Sequence, residues 1–399
     1  MRFDPSVRPA EPFAEAKARI AAAVDAHRDE ILELSHRLWN DPEPAFEEHR
    51  AAAAVAEAIA RHGYAVELPA GRLATAVRGV LAGGRGGDGP RVGILAEYDA
   101  LPGLGHGCGH NTMAASGVGA AIGLAAVAPE LAGEIVFLGT PAEERGSGKQ
   151  TMIEDGLFEG LDAALLYHPC DRDHVESVAL ASEDVDVTFS GLQAHAASEP
   201  WQGRNALDAL VLLFSSIGLW RQQIRPDARV HGIVLEGGTA ANIIPDRTVG
   251  RFMVRSADPA YYEELKRRFR ELAEGAALAT DTSVEIVFSG GSKTLNTNRA
   301  LAARWVANGA AYGVVDEGPD QGHGSTDMGN VSWVCPAIHP ELAIAPRGTP
   351  GHSIRFRDAA VTERADDTTL LAATLVAQTA LDVLADDALR AAILAAFKG

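Results

Sequence analysis

The stretch RVGILAEYDALPGLGHGCGHN (91–111) decides how this chain is read. Its first part, RVGILAEYD (91–99), is an apolar run that ends in polar groups, the pattern of a buried strand. Its last part, GHGCGHN (105–111), sets a cysteine and two histidines among three glycines, which allow tight backbone approach. A Gly/Ala-heavy helical stretch follows, from Asn111 to Ala128. Cys108 and His110 are two apart, so in extended chain both point the same way and could face one metal.

Working outward, GEIVFLGT (133–140) and DAALLYH (162–168) read as further buried strands, with a helix at about Gln150–Phe158 between them. Alternation of this kind predicts an α/β domain with a largely parallel sheet. The polar residues cluster after the strands: Glu97 and Asp99, then Glu143 and Glu144 in TPAEER (140–145), then His168. Open α/β sheets bind ligands at that edge. GHSIRF (351–356) adds His352. Cys108, His110, Glu144, His168 and His352 are thus candidate ligands, of types that suit zinc and neighbouring divalent metals. Five such groups exceed one closed tetrahedral site, so two metal ions are expected. Glu143, beside a ligand, is a candidate general base for a metal-activated water. Each segment alone also reads as ordinary structure: a Gly-rich turn with a buried cysteine, a solvated acidic pair, a strand-end histidine.

Residues 14–62 read as helical, broken at Asn40–Pro44 by two prolines. Past residue 180 the pattern changes. SEDVDVTFSG (182–191) alternates, a helix covers 205–223, two strands follow at 230–238 and 248–256, then a helix at about 259–277 and a strand at 283–291. Strand, helix, two strands, helix, strand is the ferredoxin-like plan. The expectation is therefore a catalytic domain in two parts, 1–183 and 294–399, interrupted by an inserted lid or dimerisation domain at 184–293. The tail from Asp366 to Lys398 reads as an Ala/Leu-rich helix pair.

The chain has 399 residues and a formal charge of −19, which argues against a nucleic-acid partner. No run approaches a membrane span and no apolar leader opens the chain, so no membrane partner is expected. Three cysteines give no disulfide framework, and a reducing, cytoplasmic setting follows.

Beyond about residue 15 the chain resembles the metallo-aminoacylase/carboxypeptidase family. The resemblance rests on SHRLWNDPEPAFEEHR (35–50), EYDALPGLGHGCGHN (97–111), PAEE (141–144), GLQAHAA (191–197), GGTAANIIPD (237–246) and GSTDMGNVSWVCP (324–336). It is strongest to the branch whose metal motif carries Cys-Gly-His, on the side of dipeptidases and p-aminobenzoyl-glutamate hydrolases. The resemblance implies a dinuclear centre of Zn, Mn or Co on Cys108, His110, Glu144, His168 and His352, with Glu143 as the catalytic glutamate. It implies that His195 reaches the partner subunit's active site to stabilise the oxyanion, and that Asn242 and Arg255 grip the substrate, Arg255 by its carboxylate. Asp99 and Asn111 would support the ligands from behind, although Asn111 stands where many members carry Asp. Glu97 replaces a commoner Asp, and Met253 stands where an Asp is frequent. Cys170, His106 and His323 carry no assigned role, and Asp327 shapes the substrate pocket. The implied activity is metal-dependent hydrolysis of the amide of an N-acyl or aryl-acyl amino acid, or of a dipeptide, with a free carboxylate. A hydrolytic deaminase or amidase acting on a small aromatic is the alternative. The implied assembly is a homodimer or a higher homo-oligomer.

Overall fold

The run at 91–99 forms the strand Arg91–Glu97, buried over all but its first residue. The computed structural model describes residues 3–319 and 324–398. Arg91–Glu97 pairs in parallel with Glu134–Thr140 on one side and Ala163–Leu165 on the other. Ala337–Ile338 extends the parallel part beyond Ala163–Leu165. On the far side, Val77–Ala82 and Ala65–Glu67 add two antiparallel strands, so the six-stranded sheet is mixed. These two strands escape a search for continuous apolar runs. Arg78 and Gly79 interrupt the first, whose residues alternate between buried and half-buried only from Val77 to Val80.

The helix His110–Ala125 is buried on every side from His110 to Leu124. Its glycines make that possible. A Cβ on Gly117 would stand 2.8 Å from Ala96 Cβ, and one on Gly119 would stand 2.8 Å from Ala373 Cβ. Small residues thus let this helix lie between the sheet and the helix Glu363–Ala385. The latter begins at Thr362, whose Oγ1 accepts the Ala365 N–H at 3.3 Å, a conventional side-chain cap. Contrary to the sequence expectation, Glu363–Ala385 is long and apolar enough to cross a membrane by length and composition. Its apolar window is 94% buried, as befits a core helix.

The chain divides into two units. The second comprises Ala179–Thr294 with 324–326, and the first comprises the rest. The expected boundary at 184 moves back to 179, ahead of the strand Ala181–Ser190. In the second unit four antiparallel strands lie in the order Ser283–Ser292, Ala181–Ser190, Arg247–Ser256, Arg229–Glu236. In chain order that is 4-1-3-2, with the helices Ala206–Trp220 and Pro259–Ala279 as crossovers. Val185, Val187 and Phe189 point inward from the first strand and pack with Leu210, Leu213, Phe252 and Phe269. The period of two seen in the sequence is this inward set.

Candidate metal centre

All five candidate ligands lie in the first unit. Gly109 starts the helix His110–Ala125 with φ +80, and a Cβ there would stand 2.6 Å from Pro169 Cγ. Glycine therefore lets the chain turn from Cys108 into the helix while lying against the strand His168–Cys170. His110 Nδ1 faces the Asp99 carbonyl oxygen at 2.9 Å and Asp99 Oδ1 at 3.1 Å. Both are acceptors, so Nδ1 carries the proton and Nε2 is left for other work. The other Asp99 oxygen, Oδ2, accepts the Glu144 N–H at 2.9 Å. One buried carboxylate thus orients two candidate ligands. His168 Nδ1 donates to the Pro169 carbonyl at 2.8 Å, and His168 Nε2 lies 3.5 Å from Cys108 Sγ. His352 Nε2 lies 3.4 Å from Glu144 Oε1, and the His352 N–H donates to the Gly107 carbonyl at 3.0 Å.

The donor atoms form two triads that share Cys108: with His110 and His168, and with Glu144 and His352. Within each triad they lie within 4.8 Å of one another. A third group joins His110 to Glu97 and Glu143. Backbone strain marks the same loops. Ala142, just before Glu143, has φ +59, and His352 has φ +54, both in the left-handed region that non-glycine residues rarely occupy. Buried Glu48 pins the first of these, accepting the Ala142 N–H at 2.9 Å.

Without a metal the site is an ion-pair network. Burial alone would raise the Cys108 thiol, but the imidazoles of His168 and His110 together outweigh it and bring the thiol down to about 6. Burial resists charging His168, and Cys108 overrides it, lifting His168 to about 9. Cys108 and Glu144 lift His352 to about 10. Burial, then the carboxylates of Glu97, Asp327 and Glu144, push Glu143 well above the usual carboxylate range. Burial pushes Cys170 up, and Cys335 up to about 12. These shifts predict selective alkylation. In chelator-treated protein, iodoacetamide should label Cys108 with a midpoint near pH 6, while Cys170 and Cys335 resist at pH 7. The depressed value means that labelling survives down to that pH and is lost below it. Peptide mapping by mass spectrometry reads the result, and restored metal should protect Cys108.

The hydrogen bonds of Asn111 run to other helices. Its amide nitrogen donates to Ser35 Oγ at 3.0 Å and to the Ala360 carbonyl at 3.1 Å, tying helices together. His106 is buried, and burial, then His110, hold it neutral with a pKa of about 3. His323 lies outside the described residues. Three functional neighbours went unread in the sequence. Glu48 sits inside a recognised motif but showed no local signal. His339 is buried with its ring 5.3 Å from that of His168. Lys149 is buried and donates to Glu97 and Asp327. A lone lysine in a short helix reads as solvated.

His195, Asn242 and Arg255 belong to the second unit. His195 lies on a two-residue strand opposite Ile243, and the Asn242 carbonyl accepts the Ala196 N–H at 3.0 Å. Arg255 lies on the strand Arg247–Ser256 with its Nε 3.0 Å from Met253 Sδ.

The sequence profile of peptidase family M20/M25/M40 matches residues 93–382. The chain belongs to that family. It is 37% identical to an Xaa-Arg dipeptidase of Mus musculus over 417 aligned positions, covering 98% of this chain and 96% of the relative. It is 32% identical to one of the polypeptides of p-aminobenzoyl-glutamate hydrolase from Escherichia coli K12, over 70% of this chain and 62% of the relative. Its fold matches the crystal structure of a dinuclear metal-binding M20 peptidase from Bacillus subtilis with a TM-score of 0.69. That match has 21% identity and covers 90% of this chain and 99% of the other. This M20 protein is a metal-dependent amidohydrolase.

Proposed function

We propose that this M20 hydrolase cleaves the amide bond of a dipeptide or N-acyl amino acid bearing a free carboxylate. Cys108, His110, Glu144, His168 and His352 would hold two divalent ions. The observation that carries this reading is a set of buried ligand atoms left without a hydrogen bond. His110 Nε2 and Glu144 Oε1 are buried and make no hydrogen bond. Orphaned polar atoms of this kind are costly, and two of them beside a depressed thiol fit a cation. The donor mix suits zinc, manganese and cobalt. Bound ions supply an acidified water and a polarised scissile carbonyl. Glu143 would take a proton from the attacking water and deliver it to the leaving amine. Asp99 keeps His110 in the tautomer that leaves Nε2 available.

The second unit supplies the grip. His195 Nδ1 accepts the N–H groups of Ala197 and Ser198, each at 3.2 Å. That leaves Nε2 as a donor for a developing oxyanion. Arg255 has no acidic partner among the described residues, and its guanidinium fork suits the substrate carboxylate. Asn242 sits beside His195 and holds the substrate amide. The relatives named Xaa-Arg dipeptidase, together with a charge of −19 that attracts cations, make a dipeptide with a basic C-terminal residue the first substrate to test. Mass spectrometry of a panel of dipeptides, N-acyl amino acids and aminobenzoyl conjugates should show release of a free amino acid. Release of ammonia alone would mark a deaminase instead.

We assign dimerisation to the edge strand Arg229–Glu236. It pairs on one side only. Ile233 is 60% exposed there, and Leu219 on the helix Ala206–Trp220 is 67% exposed. A second copy can satisfy such an edge. If His195 serves the partner's site, co-expressing His195→Ala with Glu143→Gln should restore roughly a quarter of wild-type activity, since half the dimers are mixed and each has one intact site. No restoration would place His195 in its own subunit's site. Three free cysteines, one of them a thiol ligand, suit a reducing compartment, and we place the enzyme in the cytoplasm.

A further inference from the structure

Lys149 is fully buried, and its Nζ donates to Glu97 Oε1 at 2.5 Å and Asp327 Oδ1 at 2.6 Å. Its backbone N–H donates to the second Asp327 oxygen at 2.9 Å. Glu97 and Asp327 are themselves buried, and Glu143 lies beside them. One lysine therefore stands among three carboxylates. A buried group of that balance calls for further positive charge or for a carboxyl that keeps its proton.

The geometry shows where that charge belongs. Lys149 takes one Glu97 oxygen. The other, Oε2, is buried, makes no hydrogen bond, and lies 3.3 Å from His110 Nε2. His110 Nε2 makes no hydrogen bond either. With the ring proton on Nδ1, held by Asp99, Nε2 presents a lone pair to the Glu97 carboxylate. Two lone pairs at that distance in a buried site repel unless a positive charge lies against both, either a metal ion or a second ring proton on His110. Glu97, His110 and Glu143 offer donor atoms within 4.8 Å of one another.

We infer that Glu97 is a further ligand residue of the metal centre and that Lys149 is the positioning residue that aims its carboxylate at the ion. This rests on the metal-centre reading above. Lys149 occupies Oε1 and so orients Oε2, while Asp327 holds Lys149 by both its ammonium and its backbone. Lys149 acts through Glu97. The added oxygen donor makes the His110 side of the centre harder, favouring ions that accept carboxylate readily.

The test strips the full-length protein with chelator and titrates it with Co²⁺, followed by calorimetry and visible absorption. Wild type should take two ions per chain. Glu97→Gln keeps the shape and removes the charge. It should weaken one of the two ions by about 10–100-fold, and it should alter the d–d absorption at saturation because an oxygen donor has gone. Lys149→Met should weaken the same ion and shift the same bands. Circular dichroism of the stripped proteins checks folding, and if Lys149→Met fails to fold, the Glu97→Gln result decides alone. Wild-type affinity and an unchanged spectrum in Glu97→Gln, with two ions in wild type, would overturn the inference and leave the metal centre standing. No Co²⁺ bound by wild type would overturn both.

Discussion

Glu143→Gln should lower kcat by about 10²–10⁴-fold while the protein keeps its metal, because the substitution removes a proton acceptor and little else. The site is arranged around this side chain. Ala142 holds a left-handed backbone conformation immediately before it, fixed by Glu48 through the Ala142 N–H. Asp99 fixes the residue after it through the Glu144 N–H. The chain on both sides of Glu143 is therefore held by buried carboxylates, and glutamine fits the same space. Metal content by inductively coupled plasma mass spectrometry should match wild type, since the proposed ligands are untouched. Turnover at wild-type rate with metal bound would sink the general-base assignment.

Lys17→Met should destabilise the first unit by about 3–5 kcal/mol, the usual cost of removing one partner of a buried ion pair. Lys17 Nζ lies 2.9 Å from Asp382 Oδ2 and 2.9 Å from Asn308 Oδ1, with both charged side chains fully buried. Three helices meet at that point: Ala14–Ala26, Arg299–Ala311 and Glu363–Ala385. Burial pushes Lys17 down and Asp382 up, so both charges survive only because they face each other. Methionine leaves Asp382 with Asn308 and a distant Arg304, whose Nε is 3.9 Å away. Tm should fall by roughly 10 °C in a thermal melt. The double variant Lys17→Met/Asp382→Leu should recover most of the loss, because apolar residues of similar size replace a buried pair at little cost. A single variant that melts with wild type would mean that Arg304 takes over the role of Lys17.

Much of the architecture follows from local pattern. The run at 91–99 has no polar face and suits a strand covered on both sides, and the alternation in Val185, Val187 and Phe189 suits a sheet with one wet face. Both are properties of neighbouring residues, and periodicity carries them. The candidate ligands were legible for a different reason. A thiol, an imidazole or a carboxylate announces its chemistry wherever it stands, and the motifs around these residues are specific.

Contacts between distant segments carry no such mark. Nothing near Lys149 says that it is buried, because the carboxylates that hold it come from residues 52 and 178 positions away. Asp99 is a polar residue after a strand until the fold brings His110 and the Glu144 N–H to its two oxygens. Asn111 reads as a neighbour of the ligands, yet the helix turns its amide toward Ser35 and Ala360. Glu363–Ala385 has the length and apolarity of a membrane span, and only its packing inside the first unit, against His110–Ala125 among others, makes it a core helix. The sequence by itself determined the residue chemistry and the period of each element, because both are local. The tertiary structure alone decided which donors meet, which charges are buried and which lone pairs are left without a partner, because burial and proximity depend on segments far apart in the chain.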